Sequence, residues 1–236
     1  GNQPEYAMIE GCFLENNNYK NTKWIKITKK NKIKPNNNNI LKSNSSKTFN
    51  FIRLNIFPDG GVARLRLFGN IDLSLQTISN NNIIDLASVI NGSQVIACSD
   101  EHFGNANNIL LPGKSKNMGN GWETRRRRGT GYDWVILKLG LSGYPTSFEI
   151  NTHYFKGNYP DIFSVQGICN NKKTSINSII KKSQKWQTII SKTKLKADSS
   201  LKIKMLKKFY KKYNYIKLNI YPDGGISRFR VYGKIK

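Results

Sequence analysis

Alternating apolar and polar residues predict β-strands along much of this chain. Residues 134–139 are almost entirely apolar, whereas residues 147–151 and 215–221 alternate between polar and apolar positions. A period of two residues places successive side chains on opposite faces of a strand. Many short strands separated by turn residues are typical of antiparallel sandwiches. The pattern therefore predicts an all-β protein whose strands bury one face in a core.

Two Pro-Asp-Gly-Gly turns interrupt the strand pattern, at residues 58–61 and 222–225. Proline presets one turn dihedral, aspartate accepts local hydrogen bonds, and glycine permits positive φ. The second turn lies between the alternating runs 215–221 and 226–232, so we predict a β-hairpin there. Short helical turns are predicted at residues 84–89 and within residues 201–213.

An internal repeat indicates that the chain contains two copies of one domain. Residues 51–69 read FIRLNIFPDGGVARLRLFG and residues 215–233 read YIKLNIYPDGGISRFRVYG, with eleven of 19 positions identical. A second match aligns residues 1–5 with residues 157–161. Self-similarity at a domain-sized spacing is the signature of tandem structural repeats.

The register of this repeat predicts that the first copy is truncated. Residues 72–156 precede the second match in the second copy, whereas the first copy begins at the match itself. We therefore expect residues 1–71 to be the C-terminal part of a first repeat. Residues 72–236 would be a complete second repeat with a Lys/Asn-rich insert at 170–213. The first copy would then expose sheet edges unless another segment or subunit covers them, or unless it forms a shorter sandwich.

The net charge of +25 is concentrated in two inserts. Residues 20–47 hold nine lysines and no acid, and residues 172–212 hold fourteen lysines and a single acid, Asp198. Such bias is typical of loops that tolerate insertion. No basic motif interleaved with aromatic residues accompanies it, so we predict no specific nucleic-acid partner. A weak, unspecific attraction of polyanions stays open.

The cysteines and the hydropathy exclude several classes of protein. Cys12, Cys98 and Cys169 are widely spaced and form no CxxC pair, which argues against a disulfide framework or a zinc site. We predict mostly buried, reduced thiols, which fit a cytoplasmic location. No apolar run approaches the length of a membrane span, so no membrane partner is predicted.

Several segments of the second copy resemble the allantoicase family. They read SDE at 99–101, NILLPG at 108–113, NMGNGWETRRRR at 117–128, DW at 133–134, and FKGN at 155–158. The resemblance implies two tandem jelly-roll β-sandwiches of the galactose-binding-like type. It also implies hydrolysis of allantoate to ureidoglycolate and urea by a homo-oligomer that acts in the cytosol or in a peroxisome-linked pathway.

A site for allantoate needs a cation for its carboxylate and acceptors for its ureido N–H groups. On the family segments, Glu123 and Glu101 are the candidate catalytic residues. The candidate substrate-binding residues are Trp122, Arg125, Arg126, Asn158 and Asp100.

Each of these candidates also has a structural interpretation. Trp122 would be core, Glu123 would pair with a neighbouring arginine, and the arginine run would be a solvated face. Asp100 and Glu101 would mark a strand end, and Asn158 would mark a turn. No cofactor and no metal ligand set is predicted, and a divalent metal stays open.

The chain departs from the family pattern at two acids. Asn120 and Asn151 stand where the family usually has aspartate. An amide keeps the shape and an acceptor but carries no charge. The alternative is therefore a non-catalytic β-sandwich that binds a small polar ligand. We expect structural roles for the Arg64/Arg66 and Arg228/Arg230 pairs, and His102 and His153 match no family motif.

Overall fold

The computed structural model describes residues 2–14, 22–72 and 82–235. These residues form two compact units, which are Gly1–Asp72 and Leu73–Lys236. Gly1 of the second repeat match and Lys20 of the first insert lie outside the described residues. That unit 1 is part of a larger repeat stays a prediction.

Unit 1 is a small antiparallel sheet built around strand β1 (Tyr6–Cys12). Strand β4 (Phe51–Phe57) pairs with β1 along its whole length, and β2 (Ile25–Lys26) and β3 (Asn31–Lys32) pair with its other edge. Ala7, Ile9 and Cys12 of β1 are buried.

Unit 2 consists mainly of strands, with one short helix. Its strands are β5 (Ile84–Asp85), β6 (Gln94–Cys98), β7 (Trp122–Glu123), β8 (Asp133–Asn151), β9 (Ile162–Ile168), β10 (Gln187–Lys194), β11 (Ser200–Lys204), β12 (Tyr213–Tyr221), β13 (Gly225–Ile226) and β14 (Arg228–Lys234). The helix α1 spans Ile176–Ser183, and 3₁₀ turns span Val89–Asn91, Ala106–Leu110, Met118–Asn120 and Lys207–Phe209.

The long strand β8 belongs to both layers of the unit 2 sandwich. Its first half pairs with β6 and β12, and its second half pairs with β14 and β11. Apolar side chains from both halves meet in one core, where the rings of Phe148 and Phe229 stack at 6.1 Å. The predicted all-β sandwich class is thus confirmed.

The prediction of a hairpin at residues 222–225 is wrong. Strand β12 pairs with β8 and β9, whereas β14 pairs with β8 and β5. The turn therefore carries the chain from one layer to the other, and β13 pairs with β7 on the way. Turn residues set the local chain reversal, but the partner of each strand depends on segments distant in sequence.

The equivalent turn in unit 1 is not followed by a strand. Residues 58–72 contain no strand among the described residues, and Phe68 is 92% exposed. Its counterpart in unit 2, Tyr232, lies in β14 beside β8 and β5. The described part of unit 1 offers no strand equivalent to β8 or β5.

The predicted helical turns and loops also need correction. Residues 84–85 form strand β5 with the 3₁₀ turn Val89–Asn91 after it, and residues 201–204 belong to β11. Only Lys207–Phe209 of the second predicted region is helical. The lysine-rich insert is not simply a loop, because it supplies α1, β10 and β11. Its apolar residues Ile189, Ile190 and Leu195 are buried while most of its lysines stay exposed.

The Pro-Asp-Gly-Gly turn makes the same contact in both units. The backbone N–H of Gly225 donates to the Asn158 carbonyl at 2.7 Å, and the N–H of Gly61 donates to the Asn2 carbonyl at 2.6 Å. The preceding glycine has φ near +130° in unit 2, at Gly224, and +129° in unit 1, at Gly60. The two sequence matches of the repeat therefore meet in space in each unit.

We expect Gly224→Ala to lower the free energy of unfolding by about 1–3 kcal/mol. Alanine strains a backbone at positive φ, and its Cβ would lie 2.7 Å from the Asn158 carbonyl oxygen. Chemical denaturation measures the change. Gly129→Ala is the control, because a Cβ there has no neighbour within 4 Å. Equal stability of the two variants would show that the close approach is unimportant.

The two units differ in the polar residues at one equivalent pair of strands, β1 and β4 in unit 1 and β9 and β12 in unit 2. In unit 1, the Glu10 carboxylate accepts hydrogen bonds from Arg53 at 2.7 Å and from Asn55 at 2.8 Å. The strand register places Gln166 opposite Lys217 in unit 2, as Glu10 lies opposite Arg53 in unit 1.

Lys217 therefore lies opposite an amide, whereas its counterpart Arg53 lies opposite the Glu10 carboxylate. It is only 2% exposed, and its ammonium lies 5.3 Å from the Trp134 ring and 5.7 Å from the Tyr132 ring. Burial lowers the pKa of Lys217, because the charged form loses hydration.

We expect Lys217→Met to change how stability depends on pH. Because the folded state lowers the pKa of Lys217, the unfolded chain binds more protons between that pKa and about 10.4, the ordinary value. The wild type should therefore gain stability as pH rises through this window, and the variant should lose that gain. Denaturation at pH 7 and pH 10 tests this. Lys138→Met, at an exposed lysine, should retain the wild-type difference; an unchanged difference in Lys217→Met would contradict the burial effect.

Candidate functional site

Asp100 lies in the loop after β6 and is hydrogen-bonded to two other predicted site residues, Trp122 and Arg125. The indole Nε1 of Trp122 donates to the Asp100 carbonyl at 2.8 Å. The backbone N–H and the guanidinium of Arg125 donate to the Asp100 carboxylate at 2.7 and 3.1 Å. Asp100 thus joins the end of β6 to the segment that follows β7.

Hydrogen bonding lowers the pKa of the Asp100 carboxyl. Partial burial raises the pKa of its carboxyl, but the backbone N–H and guanidinium of Arg125 outweigh this and hold the pKa below its usual value. Asp100 is therefore a carboxylate at neutral pH, and it neutralises Arg125. The ion pair is largely solvent-exposed on the arginine side, so it orients the loop more than it stabilises the fold.

Trp122 lies in the core of unit 2. Its side chain is fully buried and packs with the cluster that includes Ile109, Leu110 and Ile226. The interpretation of Trp122 as a core residue therefore agrees with its surroundings. Its neighbour Glu123 points the other way, as successive residues of a strand do.

Glu123 contacts Asn158 rather than an arginine. The Asn158 side-chain amide donates to Glu123 Oε1 at 2.5 Å, and the Met118 sulfur lies 3.9 Å from the same amide nitrogen. Glu123 is half-buried, and its second oxygen has no hydrogen bond within the described residues. One carboxylate oxygen is thus positioned by the protein, and the other is available to a ligand.

The Pro-Asp-Gly-Gly turn at residues 222–225 is hydrogen-bonded to the segment that carries Glu123. Gly224 donates to the Thr124 hydroxyl at 3.1 Å, and the Asp223 carboxylate accepts the Arg127 N–H at 2.7 Å. Together with the bond from Gly225 to Asn158, these contacts fix the backbone on both sides of Glu123.

The remaining arginines of the run differ in their surroundings. Arg127 pairs with the buried carboxylate of Asp133. Arg126 is exposed and has no hydrogen bond or ion pair within the part of the chain that the structure describes. It is therefore a free cation next to the Glu123 segment.

Glu101 lies outside the Glu123–Asn158 group. It follows the end of β6, and its Oε2 accepts the backbone N–H of Ala106 at 2.9 Å, close to the start of a 3₁₀ turn. The strand-end interpretation therefore fits the surroundings of Glu101.

A separate cavity of about 510 Å³ lies over the outer face of β8 and β14. Its lining includes Lys114, Glu149, His153, Ser200, Arg230 and Tyr232. The sequence analysis named Arg230 and His153 without assigning them a function, and it missed Glu149 altogether. The strand pattern did put Glu149 on the face opposite Phe148 and Ile150. Only the pairing of β8 with β14, however, places it opposite Arg230.

Two buried arginines hold the loop over this cavity. Arg228 donates to the Gly113 carbonyl at 3.1 Å and to the Asn120 backbone and side-chain oxygens at 2.7 and 2.8 Å. Arg230 donates to the Leu111 carbonyl at 2.7 Å and pairs with Asp85 at 3.3 Å. Arg228 and Arg230 therefore have the structural role that we expected, since both hold loop carbonyls.

The described residues contain no group of three or more His, Cys, Asp or Glu side chains that could hold a metal ion. They also contain no helix long and apolar enough to cross a membrane. The three cysteines are free, with Cys12 buried, Cys98 half-buried and Cys169 exposed.

The family model of the allantoicase repeat matches residues 1–72 and 84–236. A probable allantoicase of Acinetobacter baumannii is 41% identical over 235 residues, which cover all of this chain and 69% of that protein. A probable allantoicase of Pseudomonas fluorescens is 40% identical over 236 residues, with 71% of its length covered. The crystal structure of allantoicase from Saccharomyces cerevisiae matches with a TM-score of 0.79 and 31% identity, over 99% of this chain and 69% of that one.

We expect Asn120→Asp to raise the free energy of unfolding by about 1 kcal/mol. The new carboxylate would accept the Arg228 guanidinium bond that the amide now accepts at 2.8 Å, and a charged pair makes a stronger bond. Thermal denaturation measures the gain. Asn151→Asp is the contrasting variant, because Asn151 donates to Glu149 at 3.0 Å and a carboxylate there would repel it. A gain in Asn151→Asp and a loss in Asn120→Asp would contradict both assignments.

Proposed function

Because this chain belongs to the allantoicase family, we propose that it cleaves allantoate to ureidoglycolate and urea. The observation that carries the proposal is the match of the family's repeat to both units, residues 1–72 and 84–236. Relatives at 40–41% identity are named probable allantoicases, and each match covers the whole of this chain.

The reaction replaces a carbon–nitrogen bond with a carbon–oxygen bond. Water adds its oxygen to the central carbon of allantoate, and one ureido nitrogen leaves that carbon. Water loses one proton and keeps the other as it becomes the hydroxyl of ureidoglycolate, and the leaving nitrogen takes up one proton and departs as urea. The site therefore needs a group that moves a proton and a cation that holds the carboxylate.

The surroundings of Glu123 support its role as the proton-transferring residue. Asn158 fixes one carboxylate oxygen at 2.5 Å and leaves the other open to a ureido N–H or a water molecule. Arg126 supplies an exposed guanidinium for the substrate carboxylate, since Arg125 is already neutralised by Asp100. Trp122, Asp100 and Arg125 would position this group and not touch the substrate.

The two amides that replace family acids do not belong to the Glu123 group. Asn120 bonds to Arg228, and Asn151 bonds to Glu149 at the cavity. The loss of charge at these positions therefore leaves the proposed proton transfer intact. This weakens the alternative of a non-catalytic module, whose main support was the loss of those acids.

The resemblance also implies a homo-oligomer in the cytoplasm, and both stay predictions. An anionic ureide is the partner that the proposed reaction requires.

Purified protein should release urea from allantoate, and Glu123→Gln should lower kcat by about 100-fold or more. The amide keeps the contact with Asn158 but cannot carry a proton. A coupled urea assay measures both. Asp161→Asn is the control, because this exposed carboxylate contacts only Lys194, at 3.9 Å, among the described residues. Turnover at the wild-type rate in Glu123→Gln would remove this residue from the mechanism, and no urea release by the wild type would refute the activity.

A further inference from the structure

A basic loop connects β11 to β12 at the surface of unit 2. This basic loop, residues 205–212, holds Lys207, Lys208, Lys211 and Lys212 and no acid. All four lysines are exposed. None of them forms an ion pair with another residue that the structure describes. Their charges are therefore available to a partner.

The basic loop is attached to the core at every fourth residue. Met205 and Phe209 pack against the core of unit 2, and Tyr213, which begins β12, is fully buried. The Tyr213 hydroxyl donates to the Phe209 carbonyl at 3.2 Å, and the Phe209 N–H donates to the Leu206 carbonyl at 3.0 Å. The side chains between these three anchors therefore face outward from a hydrogen-bonded turn.

Two of the outward side chains are apolar. Leu206 is 60% exposed and Tyr210 is 49% exposed, and two lysines follow each of them directly. The Tyr210 ring packs against the Tyr144 ring, with 6.0 Å between the centroids. Moving apolar surface out of water is favourable, and so is placing an ammonium beside a negative charge. Lysines interleaved with leucine and tyrosine are typical of segments that lie in the interface of an anionic membrane.

We propose that the basic loop binds the surface of a membrane that contains anionic phospholipids. The lysines contact the charged headgroups, and Leu206 and Tyr210 enter the interface beneath them. The apolar side chains favour lipid over RNA, because a phosphate backbone offers no apolar layer to Leu206. The sequence analysis predicted no membrane partner because the chain lacks a membrane span, but binding at the surface requires none.

The basic loop lies far from the Glu123 group along β12. The loop precedes this strand, whereas the Pro-Asp-Gly-Gly turn that follows the strand leads into β13, which pairs with β7 at Glu123. A strand of nine residues spans about 30 Å. Membrane binding and cleavage of allantoate therefore use opposite ends of β12, and neither requires the other.

Co-sedimentation with phospholipid vesicles tests the proposal. We expect the protein to bind vesicles of phosphatidylcholine that contain about 30% phosphatidylserine, and not vesicles of phosphatidylcholine alone. Lys207→Glu/Lys208→Glu should weaken binding by at least about tenfold, since each lysine near the surface contributes roughly fivefold. Leu206→Ser keeps the charge and should weaken binding by about fivefold, because an apolar side chain no longer leaves water.

Two matched variants in the same lysine-rich insert serve as controls. Lys172→Glu/Lys173→Glu reverses the charge of two exposed lysines before α1, and Ile176→Ser removes an aliphatic side chain that is 52% exposed. Each should weaken binding by no more than about twofold, because salt at physiological strength screens charges that lie beyond about 8 Å from the lipid. Thermal denaturation checks that every variant is folded.

Several results would overturn the proposal. They are a lack of binding to the anionic vesicles, equal binding to phosphatidylcholine alone, and unchanged binding of Leu206→Ser. An equal loss in the two lysine variants would overturn it too, because the attraction would then be unspecific. So would displacement of the protein from the vesicles by single-stranded RNA at the same phosphate concentration, since the lysines would then prefer a polyanion. None of these results bears on urea release, so this proposal and the proposed function fail independently.

Discussion

The hydrogen bond from Gly225 to the Asn158 carbonyl is the contact on which the rest of unit 2 depends. It is possible only because Gly224 has a positive φ and no side chain, so that the turn can approach the Asn158 backbone. The same turn accepts Arg127 through Asp223 and donates to Thr124. One tight turn thereby fixes both segments that flank Glu123. The equivalent bond between Gly61 and Asn2 in unit 1 shows that the contact belongs to the repeat itself.

The layered arrangement of strands explains why unit 2 has two chemically different places. Strand β8 passes through both layers, so its neighbours at one end differ from those at the other. Glu123 and Asn158 lie beside the Pro-Asp-Gly-Gly turn. Glu149 lies on the outer face of the sheet formed by β8 and β14. Arg228 connects the two, because it holds Asn120 in the turn between them and also lines the cavity. The guanidiniums of Arg228 and Arg230 hold loop carbonyls, whereas Arg126 is exposed and unpaired among the described residues.

The sequence predicted the strands, the repeat and the family segments, because these depend on local periodicity and on long, unusual residue runs. It did not predict which strands pair. Residues 222–225 have the composition of a hairpin turn, yet β12 and β14 lie in different layers, and only their long-range partners decide this. The same limit hid the cavity, because Glu149 and Arg230 meet through pairing of β8 with β14. The helix α1 was missed because its lysines suggested a solvated loop, although Ile179 and Trp186 pack against Ile136. The sequence named Asp100 apart from Trp122 and Arg125, and the structure adds that Asp100 accepts hydrogen bonds from both of them.

The central claim is that an anionic ureide binds at Glu123 and Arg126, on a segment held by the turn. A crystal structure of the Glu123→Gln variant soaked with allantoate tests this most directly. The account predicts electron density with a ureido nitrogen within hydrogen-bonding distance of residue 123 and the carboxylate beside Arg126. A fully occupied ligand in the cavity at Glu149, with no density at residue 123, would contradict it and move the reaction to the outer face of the sheet.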